Sequence, residues 1–186
     1  SIGKARAGKG ACDLHWDDVE QWQEGLIAIL VPDLPNDTNV QALRRLSGIF
    51  GERAYLGLSL RRRPDDAIRI HGLDTQARAH HVRPVVLGDI LYHSNDRELL
   101  QDVVTAIRHH CTVDALGFRR ERHADRQLKS GAEMARRFAA YPDALAASAD
   151  IARACTFDLG QLRYQYPQEA SPGETPQQLL ERLTGV

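Results

Sequence analysis

Between residues 17 and 110 the sequence alternates short apolar runs with longer stretches of helical periodicity, the pattern of strands and crossover helices in a parallel sheet or barrel. Leu26-Ile27-Ala28-Ile29-Leu30-Val31 is a continuous apolar run stopped by Pro32, which predicts a strand buried on both faces. Asn36 or Asp37 is placed to cap a helix whose apolar positions Val40, Leu43, Leu46 and Phe50 recur at helical spacing, and Gly51 ends it. Tyr55 to Leu60 alternates as a second strand. A helix is predicted from Pro64 to about His81, weakened at Gly72, followed by a third short strand at Val85-Val86-Leu87.

Asn95 with Glu98 has the spacing of a capping box, and Leu99, Leu100, Val103, Val104 and Ile107 give the following helix a strong apolar stripe. Beyond residue 111 no further strand pattern is found. Ser130 and Glu133 repeat the capping spacing ahead of Met134 and Phe138, and Pro142 separates that helix from another ending near Cys155. The tail, with Pro167, Pro172, Gly173 and Pro176, reads as a connector before a short helix around Gln177 to Leu183. The expected organisation is therefore a β/α part over residues 1–110, a helical extension over 111–160 and a connector over 161–186.

A chain of 186 residues holds one domain with a core, or one domain and a small appendage. With 42% hydrophobic and 26% charged residues it is an ordinary globular composition, and no apolar run reaches the roughly 18 residues of a membrane span, so no membrane contact is expected. The opening Ser1-Ile2-Gly3-Lys4 carries neither a methionine nor an apolar signal core, which predicts a cytoplasmic protein and a trimmed boundary. Cys12, Cys111 and Cys155 are odd in number and far apart, so reduced, mostly buried thiols are expected. A net charge of −1 argues against an autonomous nucleic-acid binder. Any phosphate contact falls to local basic runs, Arg61-Arg62-Arg63 and Arg119-Arg120-Glu121-Arg122, although such short runs are commonly solvated surface.

In a parallel barrel, functional groups gather at the carboxyl ends of the strands, and Asp89 lies directly after Val85-Val86-Leu87 with Gly88 beside it. Two readings of Asp89 stay open: a metal-ligand carboxylate, or a loop cap. His93 is the nearest imidazole, either a substitute ligand or a surface histidine that supports one. His80-His81 and His109-His110 each close a helix, where imidazolium complements the helix dipole, and adjacent side chains on a helix diverge too far to ligate jointly. There is no Gly-x-Ser-x-Gly elbow and no phosphate-binding glycine loop; Gly8-Lys9-Gly10 lacks the following Ser or Thr.

An ordered series of signatures carries a resemblance: Gly88-Asp89-Ile90-Leu91-Tyr92-His93, Leu128-Lys129-Ser130-Gly131-Ala132-Glu133-Met134, Ile151-Ala152-Arg153-Ala154-Cys155 and Leu162-Arg163-Tyr164-Gln165-Tyr166-Pro167. In that order they resemble the end of the PHP (polymerase and histidinol phosphatase) domain, and its connection to the polymerase core, in bacterial C-family DNA polymerase alpha subunits; the last signature looks most like the error-prone branch. The resemblance runs weakly from residue 1 to about 60 and well from about 85 to 176, and gives Arg6-Ala7-Gly8-Lys9-Gly10 a place within the PHP domain.

It implies an α/β fold, a partial PHP-type parallel β/α barrel followed by a helical C-terminal region. It also implies a ligand role for Asp89, but the family's histidine two positions later is Leu91 here, no His-x-His occurs in the chain, and Gly57 and Ser59 stand where replicative relatives keep polar or acidic residues. The implied parent is a polymerase that uses Mg²⁺ and DNA for damage-induced translesion synthesis and repair, with palm, thumb and fingers elsewhere in the polypeptide. Zn or Mn would belong to an intact PHP site. This segment is then expected to be an inactive structural and interaction module that self-associates through its uncovered edge. The alternatives are a metal-dependent phosphoesterase of the PHP superfamily and a plain α/β interaction domain.

Overall fold

A computed structural model describes residues 2–121, 123–163 and 175–185. Two short helices, α1 (Ile2–Arg6) and α2 (Trp16–Gln21), precede β1 (Ala28–Leu30), α3 (Asp37–Phe50), β2 (Ala54–Leu58), α4 (Asp66–Ala79), β3 (Arg83–Val86) and α5 (Glu98–Arg108). The strands are parallel in the order β1-β2-β3, with Ala28 opposite Ala54 and Leu58 opposite Val86. Sequential parallel strands require crossovers of one hand, which puts both crossover helices on one face of the sheet. Leu43, Leu46 and Phe50 of α3 and Ile70, Leu73 and Ala77 of α4 accordingly share a core with Leu56, Leu58 and Val86.

A 3₁₀ segment (Val113–Arg119), α6 (Gly131–Arg137) and α7 (Pro142–Ala154) follow. Ala147 and Ile151 of α7 pack with Tyr55 and Val85 on the other side of the sheet, and the Ser148 hydroxyl donates to the Val86 carbonyl at 3.1 Å. The helical part after residue 111 thus shares one compact unit, Ser1–Ala154, with the sheet. A second unit, Cys155–Val186, contains a 3₁₀ turn (Leu159–Gln161) and α8 (Pro176–Thr184), which Thr175 opens through a capping box with Gln178. Among the described residues the sheet has three strands and does not close into a barrel.

Asn36 caps α3 by accepting the Asn39 N–H at 2.9 Å, Gly51 ends it, α4 runs unbroken through Gly72, and Ser130 caps α6, in line with the local patterns. Four expectations need correction. β1 covers three residues and is half-buried instead of buried on both faces, because it is an edge strand with β2 on one side only. The Asn95–Glu98 capping box does not form: Asn95–Arg97 is itself a 3₁₀ turn, so Asn95 lies within the turn and Arg97 precedes α5. Cys12 and Cys155 are exposed, since one sits in the loop after α1 and the other past the end of α7.

The apolar stripe of α5 is the fourth. Leu99, Leu100, Val103, Val104 and Ile107 face solvent, and the buried side of the helix carries Asp102 and Ala106. A buried aspartate is tolerated there because Arg120 Nε donates to Asp102 Oδ2 at 2.6 Å.

Candidate functional site

The loops that leave the carboxyl ends of β2 and β3 line a cleft of about 550 Å³, the first with Arg61-Arg62-Arg63 and the second with Asp89, and Phe118 to Glu121 and Asp125-Arg126 complete it. Asp33, on the loop after β1, pairs with the arginines from beside the lining. Arg61 Nη1 and Arg63 Nη1 reach Asp33 Oδ1 at 2.9 and 3.0 Å, and the Arg63 guanidinium holds the Asp33 carboxyl below its ordinary value. Arg61 Nε stands 3.1 Å from Asp89 Oδ2, an ion pair without hydrogen-bond alignment. Arg126 donates to the other Asp89 oxygen at 2.7 Å and to Glu121 at 2.7 Å.

Asp66, the first residue of α4, fixes the arginine loop. Its Oδ2 accepts the backbone N–H groups of Arg61 at 2.8 Å and Arg63 at 3.1 Å. Its Oδ1 is held by buried Arg69 at 2.9 Å, and Arg69 also donates to the Ser59 carbonyl at the end of the β2 run. Arg62, between the two held amides, is left in the left-handed region at φ 53°, and Asp89 across the cleft has φ 48°. Non-glycine residues sustain that conformation only where surrounding contacts impose it.

Asp125 closes the floor. Arg137 grips it with two hydrogen bonds of 2.8 Å, Arg62 Nε lies at 3.0 Å, and the carboxyl is pushed down to about 2, chiefly by Arg137. Lys129 donates to the carbonyls of Asp125 and Gln127, and burial lowers its pKa. The Leu128-Lys129-Ser130 signature therefore performs structural work: Lys129 ties the segment under the cleft and Ser130 starts α6. Tyr92, from the Gly88–His93 signature, is buried and bridges the same segment, its carbonyl accepting the Leu128 N–H at 3.0 Å.

Of the residues singled out by sequence, Asp89 faces the arginine cleft, whereas His93 is exposed and lines a separate hollow with Leu91, Tyr92, Leu100 and Val104. The donor set does not fit a metal ion. Both Asp89 oxygens face guanidinium groups, and among the described residues no group of three or more His, Cys, Asp or Glu side chains converges. The two basic runs, by contrast, are brought together: Arg61-Arg62-Arg63 and Arg119-Arg120 line one cleft, and Phe118 stands beside them. Arg122 of the second run and the aromatic pair Tyr164 and Tyr166 lie outside the described residues. Gly57 in β2 leaves room for the Leu87 side chain, which a Cβ at that position would strike.

Asp33, Asp66, Asp125 and Arg126 are members of the site that sequence reasoning missed. The signal available for Asp66 was local, an acidic pair after Pro64 at a helix start. None marked the others: Asp33 meets Arg61 and Arg63, Asp125 is gripped by Arg137 and Arg126 holds Asp89, pairings between residues far apart in sequence.

The chain is 54% identical over 184 residues to "Error-prone DNA polymerase 1" of Agrobacterium fabrum (strain C58 / ATCC 33970), covering 98% of this chain and 17% of that relative. It is 50% identical over 185 residues to "Error-prone DNA polymerase 2" of Rhizobium meliloti (strain 1021) and 38% identical over 186 residues to "Error-prone DNA polymerase" of Caulobacter vibrioides (strain ATCC 19089 / CIP 103742 / CB 15), in each case 99% of this chain and 17% of the relative. The chain thus spans about a sixth of the length of the curated relatives it matches. No family model matches it. No helix among the described residues is long and apolar enough to cross a membrane.

Proposed function

We propose that this chain is part of an error-prone DNA polymerase, in which it serves as a structural PHP module. The observation that carries the reading is identity of 50 to 54% across nearly the whole chain to polymerases of that name. The ordered signatures from Gly88 to Pro167 support the same assignment. In this reading the complete polypeptide works in the cytoplasm and extends DNA primers past lesions during damage-induced synthesis and repair. Its Mg²⁺ ions and reacting carboxylates lie in the palm, and thumb and fingers complete the polymerase.

The cleft supports a structural role for this part. Arg61 and Arg126 neutralise Asp89 where a hydrolytic site would place cations, so the loops after the strands are cross-linked by fixed charges. Such a network orders the carboxyl end of the sheet through charges that the chain itself supplies. The phosphoesterase alternative draws no support from this arrangement.

The test is primer extension by the full-length polypeptide that contains this segment, on undamaged and abasic templates with Mg²⁺. Extension past the lesion is expected. Absence of any nucleotide incorporation by that polypeptide would overturn the polymerase reading, and phosphodiester hydrolysis by this chain with Mn²⁺ or Zn²⁺, lost in Asp89→Ala, would replace it with the phosphoesterase one.

A further inference from the structure

We propose that the cleft between the two arginine runs binds single-stranded DNA, with Phe118 as a platform for a base and Arg119, Arg120 and Arg62 as contacts for the phosphates. The inference rests on the polymerase reading for the nature of the strand and goes beyond it in assigning the surface that meets that strand.

Phe118 is 99% exposed and stands on the rim of the cleft, directly after Gly117, whose φ of 55° turns the 3₁₀ segment there. A phenyl ring held wholly in water has no packing role in this chain. Arg119 follows it on the lining, and its side chain has no hydrogen bond or ion pair among the described residues. Arg120 commits Nε to Asp102 and is otherwise half-exposed, which anchors its guanidinium while leaving the remaining N–H groups available. Arg62, opposite, is 57% exposed and is aimed by its left-handed backbone and its contact with Asp125.

The acids that line the cleft do not cancel this charge. Asp89, Glu121 and Asp125 are engaged by Arg61, Arg126 and Arg137, and the six arginines of the lining outnumber its four acids, Asp65 included. What remains accessible is cationic and carries one aromatic face. Stacking on an aromatic ring combined with guanidinium contacts along a groove is the chemistry that holds single strands, whose bases are free to leave their neighbours. A duplex offers no such base, and a simple anion would make no use of Phe118.

The experiment is fluorescence anisotropy of labelled oligo(dT) with this chain across a salt series. Wild type should bind at low salt, Phe118→Ala should bind roughly tenfold more weakly, and Arg119→Ala should lower the slope of log affinity against log salt by about 0.7. Arg44→Ala, an exposed arginine on α3 away from the cleft, should bind as wild type. Urea midpoints should match throughout, because neither Phe118 nor Arg119 packs against the fold. Wild type without affinity for oligo(dT), or Phe118→Ala and Arg119→Ala binding as wild type does, would overturn the proposal. Primer extension by the full-length polypeptide separates the two readings: if it persists while oligo(dT) binding fails, only the cleft assignment falls.

Discussion

Arg126 donates to the carboxylate of Asp89 at 2.7 Å across 37 residues of sequence, and its Nε also reaches the Asp89 carbonyl at 3.1 Å. One side chain therefore fixes both the charge and the backbone of the residue that follows β3. Since Asp89 holds a left-handed φ of 48°, this double contact is a physical reason for that conformation.

Asp89→Ala is expected to cost about 1 to 3 kcal/mol, the range for a lost charged hydrogen bond that leaves partly buried partners behind. Urea unfolding measures it. Thermal melts with Mn²⁺ or Zn²⁺ provide the complementary check, because a bound ion would raise the midpoint by mass action. A metal-dependent rise abolished by Asp89→Ala would restore the ligand role that its sequence position suggests.

The Asp66–Arg69 pair beneath the arginine loop is buried, with side chains 9% and 1% exposed. Asp66→Ala would strand a buried guanidinium and release the Arg61 and Arg63 amides. A loss of about 3 to 5 kcal/mol is expected, read by tryptophan fluorescence in urea. A loss below 1 kcal/mol would show that the loop is held by other contacts.

Acid should weaken the fold through Asp125. Its carboxyl sits near 2 in the folded chain against an ordinary 3.8, so the unfolded chain binds the proton more readily. The stabilisation is complete above the unfolded value and is lost as pH falls from about 4 towards about 2. Asp125→Asn should lower stability at neutral pH and flatten that window; an unchanged slope there would place the acid sensitivity elsewhere.

Phe138, at the end of α6, is 2% exposed in the core with Leu43 and Leu56. Phe138→Ala should cost about 3 to 5 kcal/mol from lost burial and the cavity left behind. The urea midpoint should fall with little change in the slope of the transition. A midpoint equal to wild type would mean that Phe138 contributes nothing to the core.

Self-association is expected through the uncovered edge of the sheet, and the exposed stripe on α5 is a second apolar surface, apart from that edge, whose part in it can be tested. Val104→Lys with Ile107→Lys should leave the melting temperature nearly unchanged, since both side chains are exposed. Sedimentation velocity should show weaker concentration-dependent association in the double variant. Identical profiles would exclude α5 as the contact.

Sequence by itself determined the order of the three strands and of α3 to α8, though not the short α1 and α2 or the 3₁₀ segment, because helix caps and periodicities are interactions over three or four residues. Asn36, Ser130 and Pro142 mark real helix starts, and the three apolar runs each overlap a strand. Burial was less legible. The run at Leu26–Val31 looks like an inner strand and lies at an edge, and the α5 stripe looks like core and faces water, because apolarity fixes what a surface prefers and not what the rest of the chain supplies. Only the tertiary structure decided the site. The parallel strand order sends Asp33, Arg61 and Asp89 to one end of the sheet, while the fold of the 3₁₀ segment brings Arg119 and Arg120 there from a different part of the chain. Pairing between such distant charges depends on where backbones point after each strand, which no local spacing encodes.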